Sequence, residues 1–529
     1  MASEYYIDEF VNILGEENVV TDKEYLSIAG QTTYQTSQCI VVTLLPNTVA
    51  ELRECILIAQ KYKLPVYTIS QGKNWGYGSR VPVTDNSILI ELKKLNKIVD
   101  YNEKYAYITV EPGVTFNEAF NFLRKRKSEL IISTTGGSGD ASLIGNVLER
   151  GIGTGLYADR FNFVCGFEAL LPNGEIIATG FEKHGDTQTG KLYRWGAGPY
   201  IDGLFSQSNL GIVTKMTIWL MKAPQYLSIA FYKASGENLG LLVDKLQSLS
   251  MEGFIRPTFT LYNDIRIISS LMQYPFSQND PKQTDSDSLM QQIRKNIPAL
   301  GNMVGDWNGE ISFRSINEEQ VNVQESIIKQ EFKDIINDLT IVTLSKEEIM
   351  LNFSQHYLAD NKNLAQPSLK SFLLRKYTGI PDSTAIRQTY WRKRKTIPDN
   401  LDPDRDKCGM IWICPIIPFS ADDALKAVDL IKTVLKKYHF EPAISFQFTS
   451  ERCINIIGSF NWDRDIKEED ETAIQCYSEI NDLLFQAGYF SYRNTTLSFQ
   501  KTNKVNDTFL SLLKKAIDPN NIFSPGRYI

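Results

Sequence analysis

A chain of 529 residues exceeds what one ordinary hydrophobic core holds, so two large units are expected. Hydrophobic residues make up 43% and charged residues 22%, which excludes a disordered chain, and a net charge of −6 with no strongly basic segment argues against a nucleic-acid partner. No run reaches the roughly 18 apolar residues of a membrane-spanning helix, and the acid-bearing start MASEYYIDEFVNILGEENVV is not a secretory signal, so a cytoplasmic protein with no membrane partner is expected.

The first half alternates helix and strand signals. Pro46 to Tyr62 places Val49, Leu52, Ile56 and Ala59 at helical spacing, and the β-rich run LPVYTIS follows. After the glycine-rich stretch QGKNWGYGSR come SILIEL, KIVDYN and YAYITVEPG, three strands closed by turns, and then a helix over FNEAFNFLRKR. FNFVCGFEALLPNGEIIATG reads as a hairpin around Asn173-Gly174. From about residue 226 glycine thins out, amphipathic helices lengthen, and the polar stretches QNDPKQTDSDS and IPDNLDPDRDK read as surface loops. The last forty residues return to a glycine- and proline-punctuated style. The plan implied is a first unit over 1–225, an inserted unit over 226–488 and a C-terminal return over 489–529.

Seven dispersed cysteines without a CxxC pair argue against a disulfide framework, and three distant histidines (His184, His356, His439) offer no metal-ligand spacing. No metal site is expected, and each histidine reads as an exposed loop residue.

QGKNWGYGSR directly follows a strand, and a second cluster, TTGGSGDASLIGNVLERGIGTG, spans Thr134 to Gly155. Glycines in such loops let backbone N–H groups approach an anion without interference from Cβ. Two loops of this kind could hold a dinucleotide pyrophosphate from both sides, or each could be only a tight turn. Neither is a GxGxxG opening a βαβ unit nor a GxxxxGK[ST] loop, which argues against NAD on a Rossmann domain and against ATP hydrolysis.

In order along the chain, PVYTISQGKNWGYGSR, YAYITVEPGVTF, SLIGNVLERGIGTGLYADRF, GAGPYIDGLFSQSNLGIVTKMTIWLM, SYRNTTLSFQ and IDPNNIFSPGR resemble the vanillyl-alcohol oxidase and p-cresol methylhydroxylase family of flavoproteins. The resemblance implies an α+β fold: a two-part FAD-binding domain interrupted by a cap or substrate domain of antiparallel sheet and helices. It also implies an FAD-dependent oxidoreductase that removes a hydride from the benzylic carbon of a para-substituted phenol through a quinone methide. The matching motif positions make Tyr77, Tyr492 and Arg493 the phenolate clamp. By the same resemblance Gln71, Gly72, Lys73, Asn74, Gly76, Gly145, Asn146, Glu149, Gly151 and Gly153 line the FAD, Ile212 touches it through its backbone, and Arg527 supplies a basic contact. A homo-oligomer is implied, with oxygen or a redox protein as electron acceptor.

Two departures stand out. Many relatives attach FAD covalently through a cap histidine or tyrosine. Here Met410 falls at the histidine position of KCGMIWICPIIP, with no Tyr or His nearby, so non-covalent FAD is expected. Cys408 or Cys414 could form a thioether link, but each reads better as a packed thiol. A common branch of the family carries an aspartate beside flavin N5. Gly137 stands there in this chain, and Asp140 could substitute only if the loop shifts. Two further readings stay open: oxidation of a non-phenolic alcohol or amine, and a catalytically silent FAD-fold binding protein.

Overall fold

The parallel part of the first sheet follows from the helical run between two apolar ones. Ile40–Leu44 leads into the helix Val49–Tyr62, which returns the chain to Val66–Ile69; both strands lie parallel to Ser87–Glu91 between them. Thr48 caps that helix by accepting a hydrogen bond from the Glu51 N–H, and Lys63 ends it in the left-handed region. Leu52, Ile56 and Ala59 bury against Val42, Leu44 and Ile90. The computed structural model describes residues 2–185, 187–358, 369–499 and 508–529.

A second, antiparallel sheet runs in the order Ile98–Asn102, Tyr107–Val110, Ile212–Trp219, Val164–Leu170, Ile176–Ala178. The hairpin at Asn173-Gly174 is present, with Gly174 at φ +83°. The helix Phe116–Lys125 opens with a complete capping box between Thr115 and Glu118 and packs its apolar face on this sheet.

From Tyr226 onward the chain builds an eight-stranded sheet in which every pair is antiparallel. Its strands alternate with period two. Leu261, Ile311, Phe446, Ile411 and Ile413 point into a core covered by the helices Leu239–Met251, Ala421–Lys437 and Lys467–Gln486. Their neighbours Tyr262, Glu310, Gln447, Met410 and Trp412 line a cavity on the opposite face.

The C-terminal segment then rejoins the first sheet: the Val66 N–H donates to Ile522 O and the Ser524 N–H to Val66 O, both at 2.8 Å. Buried Lys514 pins this return by donating to Asn209 O, Asp518 and Phe523 O.

Three details depart from the sequence reading, the first being that IPDNLDPDRDK is not wholly a surface loop, because Asp404 within it is buried. QNDPKQTDSDS is a loop only to Asp285, which caps the helix Ser286–Asn296. His356 is not a loop residue: it sits half-buried on the helix Lys346–Leu358, edge-on to Phe120, and burial lowers its basicity. His184 and His439 are exposed. All seven cysteines are free thiols. Among the described residues no helix is long and apolar enough to cross a membrane, and no group of three or more His, Cys, Asp or Glu is placed to hold a metal.

Candidate active site

The cavity of about 720 Å³ lies between the two glycine-rich loops and continues under the large sheet. One wall is the loop after Val66–Ile69. Its turns need positive φ at Gly72, Gly76 and Gly78, and Gln71 fastens it by donating to Gly113 O at 2.6 Å. The facing wall is the 133–155 loop, organised around Arg160. This guanidinium is buried and meets no carboxylate among the described residues; it donates instead to the carbonyls of Ser133, Thr134 and Gly151 and to the side chain of Asn146. Burial lowers its pKa to about 9. Gly153 is required here, because a Cβ would stand 2.7 Å from Arg160 Nη2.

Gln71, Gly72, Lys73, Asn74, Gly145, Asn146, Glu149, Gly151, Gly153, Ile212 and Arg527 all line the cavity. Gly76 does not. A Cβ there would lie 2.4 Å from Trp412 Cδ1, so this glycine admits the cap's indole. Glu149 accepts from Arg527 and from the Tyr528 hydroxyl, and Arg527 also donates to the Tyr67 hydroxyl at 2.8 Å. These residues fit FAD. Gly136 leaves open space where a side chain would stand, a Cβ at Gly137 would touch only Thr135 at 3.6 Å, Lys73 supplies a cation, and among the described residues Arg493 Nε and Asn209 Oδ1 are buried polar atoms without a partner.

Tyr77, Tyr492 and Arg493 converge under the cap. The Arg493 guanidinium lies 3.9 Å from the centre of the Tyr77 ring and donates to Asn74 Oδ1 at 2.7 Å. Trp412 stacks on the same tyrosine, with ring centres of Tyr77 and Trp412 6.1 Å apart. Burial pushes both tyrosine hydroxyls well above their ordinary range, so they stay protonated donors. Burial works against the Arg493 charge, and the Glu149 carboxylate favours it. Cys414, expected as an ordinary packed thiol, belongs to this cluster: its Sγ is 3.0 Å from the Tyr77 hydroxyl, and burial raises it to about 11. The final residue of the SYRNTTLSFQ motif, Gln500, lies outside the described residues.

The two departures take structural form. Asp140 is exposed and held by Asn117 at 2.8 Å, away from the cavity, whereas Gly137 lines it. Met410 packs in one cluster with Trp75, Cys408 and Tyr390. A tyrosine is therefore near Met410 in space although none is near in sequence; its hydroxyl donates to Asp406 at 2.5 Å and it is absent from the cavity wall.

Sequence reading missed the cap's polar face. Lys376 donates to Glu310 and, at 2.7 Å, to the Tyr262 hydroxyl, and it too lines the cavity. Arg266 does so as well, donating to Gln388 Oε1. The strand alternation was the available signal for Tyr262 and Glu310. Nothing local marks Arg266 or Lys376.

Residues 41–180 match the family described as FAD binding domain. The chain is 34% identical to 1'-carboxy-chondrochloren decarboxylase of Chondromyces crocatus, over 98% of this chain and 96% of that protein. It is 28% identical to the 4-cresol dehydrogenase [hydroxylating] flavoprotein subunit of Pseudomonas putida, over 98% and 94%. The solved structure of p-cresol methylhydroxylase with substrate bound superimposes with a TM-score of 0.86 at 27% identity, covering 99% of this chain and 96% of that one.

Proposed function

The chain belongs to the vanillyl-alcohol oxidase and p-cresol methylhydroxylase family of FAD-dependent oxidoreductases, and from that premise we propose that it oxidises a para-substituted phenol at the benzylic carbon. The observation that carries this reading is the convergence of Tyr77, Tyr492 and Arg493 on one buried spot of the cavity.

Loss of a hydride from a benzylic carbon needs electron density from the ring oxygen, and a neutral phenol supplies too little. Two neutral tyrosine donors and a permanent guanidinium charge favour the ionised phenol, whose proton leaves to solvent on binding. Bound FAD supplies the acceptor for the hydride. The organic product of that step is a neutral quinone methide, formed from the phenolate by loss of one hydride. Arg493 keeps its orientation through Asn74, and the cap sheet above Trp412 shields the site from water. The fit of Gln71, Lys73, Asn74, Gly145, Asn146, Glu149 and Arg527 to the cavity supports their reading as cofactor contacts, and Met410 supports non-covalent FAD.

The relative named a decarboxylase supports a second reading. If the carbon next to the benzylic one bears a carboxylate, the quinone methide is an electron sink. The carbon–carboxylate bond then breaks, carbon dioxide leaves, its bonding pair becomes a side-chain double bond and the ring oxygen regains its charge. Both readings need an ionisable phenol. The holoenzyme should therefore turn over 4-ethylphenol and leave 4-ethylanisole, its methyl ether, untouched; equal oxidation of the two would remove the phenolate from the account.

A further inference from the structure

Among the described residues six cations line the cavity, and five already have a partner or a role. Lys233 pairs with Asp338, Lys376 with Glu310 and Arg527 with Glu149. Arg493 belongs to the phenolate clamp, and Lys73 stands on the cofactor loop. Arg266 is left over. It lies on the helix Asp264–Leu271, whose Ile267, Ser270 and Leu271 line the same space.

Its guanidinium donates to Gln388 Oε1, and its centre is 5.3 Å from the Trp412 ring; among the described residues no carboxylate forms an ion pair with it. Gln388 is itself fixed, because its Nε2 donates to Ser459 Oγ at 2.8 Å. The guanidinium is thus held by one neutral acceptor and one aromatic face, with its remaining donors unclaimed among the described residues. Burial lowers its pKa to about 10, the cost of a charge kept from water without a counterion. Trp412, over which the guanidinium lies, stacks on Tyr77, so Arg266 borders the phenolate clamp.

A planar fork of donors, preset by a glutamine and lacking an anion, matches a carboxylate. Resting on the reading of a phenolic substrate, we propose that Arg266 is a substrate-carboxylate subsite, and that the preferred substrates are phenols whose para side chain ends in, or carries, a carboxylate.

The test is the reductive half-reaction of the FAD-loaded protein under anaerobic stopped flow. It compares 4-hydroxyphenyl acids having side chains of two to four carbons with 4-alkylphenols of matching length, in the parent, Arg266→Met and Arg266→Lys. At least one acid should bind the parent about tenfold more tightly than its neutral counterpart, the increment of a charge-assisted hydrogen bond. Arg266→Met should erase that ratio, and Arg266→Lys should restore part of it. Flavin content reports whether each variant is folded. A ratio near one for every pair in the parent, or a ratio that survives in Arg266→Met, would overturn the proposal. Binding of phenylalkanoates without a ring hydroxyl, followed by perturbation of the flavin spectrum, separates the two claims. Arg266-dependent binding of these acids alongside phenols that never reduce the flavin would sink the phenol reading and leave the subsite standing.

Discussion

Asp404 shows how a single residue ties the stability of the fold to pH. It is buried beneath the glycine-rich loop and accepts a hydrogen bond from Ser79 Oγ at 3.0 Å, and burial raises its carboxyl from 3.8 to about 7. A carboxyl with a raised folded pKa holds its proton more tightly in the folded state. Its contribution is fully present below 3.8 and is lost as the pH rises through about 7. Asp404→Asn should therefore melt roughly 2 °C above the parent at pH 8, with the difference closing near pH 4. A variant that melts lower than the parent at pH 8 would show the ionised carboxylate to be the stabilising form. At this scale the sequence was legible only where motifs surround a residue. Tyr77, Tyr492 and Arg493 come together because NWGYGS and FSYRNT both meet the cavity. Arg266 in DIRIISSL is indistinguishable from a solvated helix cation until its helix is placed. His356 reads as a surface residue because a lone polar side chain carries no record of Phe120 across the fold.

The QGKNWGYGSR loop touches the strand Cys408–Ile413 of the large sheet closely. Trp412 Nε1 donates to Trp75 O at 2.8 Å, and the indole lies over the bare Cα of Gly76. Gly76→Ala combines φ +79° with a contact of 2.4 Å, so it should cost about 1–3 kcal/mol in thermal unfolding and reduce the flavin retained on purification. Unchanged melting and flavin content would mean that loop and sheet do not rely on this contact. Several helices and strands between residues 46 and 178 follow from local periodicity, since each signal lies within one short window. The large sheet was not foreseeable in the same way. Its strands show alternation, as in AISFQF and CGMIWI, yet their order depends on partners far apart in the chain: Leu261 faces Phe446, and Tyr226 lies between Ser315 and Ser345. Alternation identifies a face and leaves the neighbour unnamed.

Across the whole molecule, the cavity exists because the chain leaves its first unit and returns. Val66–Ile69 aims one glycine loop at it, the large sheet roofs it with Tyr262, Glu310 and Trp412, and the segment fixed by Lys514 brings Arg527 to Glu149. The clamp likewise draws on both ends of the sequence, Tyr77 near the start and Tyr492 with Arg493 near the finish. The first strand of the large sheet, Tyr226–Ala234, lies where glycine thins out in the sequence. Anaerobic absorbance titration of the FAD-loaded protein with 4-ethylphenol, 4-cresol and vanillyl alcohol decides whether the cavity oxidises phenols. The account predicts that at least one of these phenols bleaches the flavin band, and that Tyr492→Phe and Arg493→Ala slow the bleaching by about a hundredfold while still holding flavin. A yellow protein whose band no phenol bleaches would contradict it.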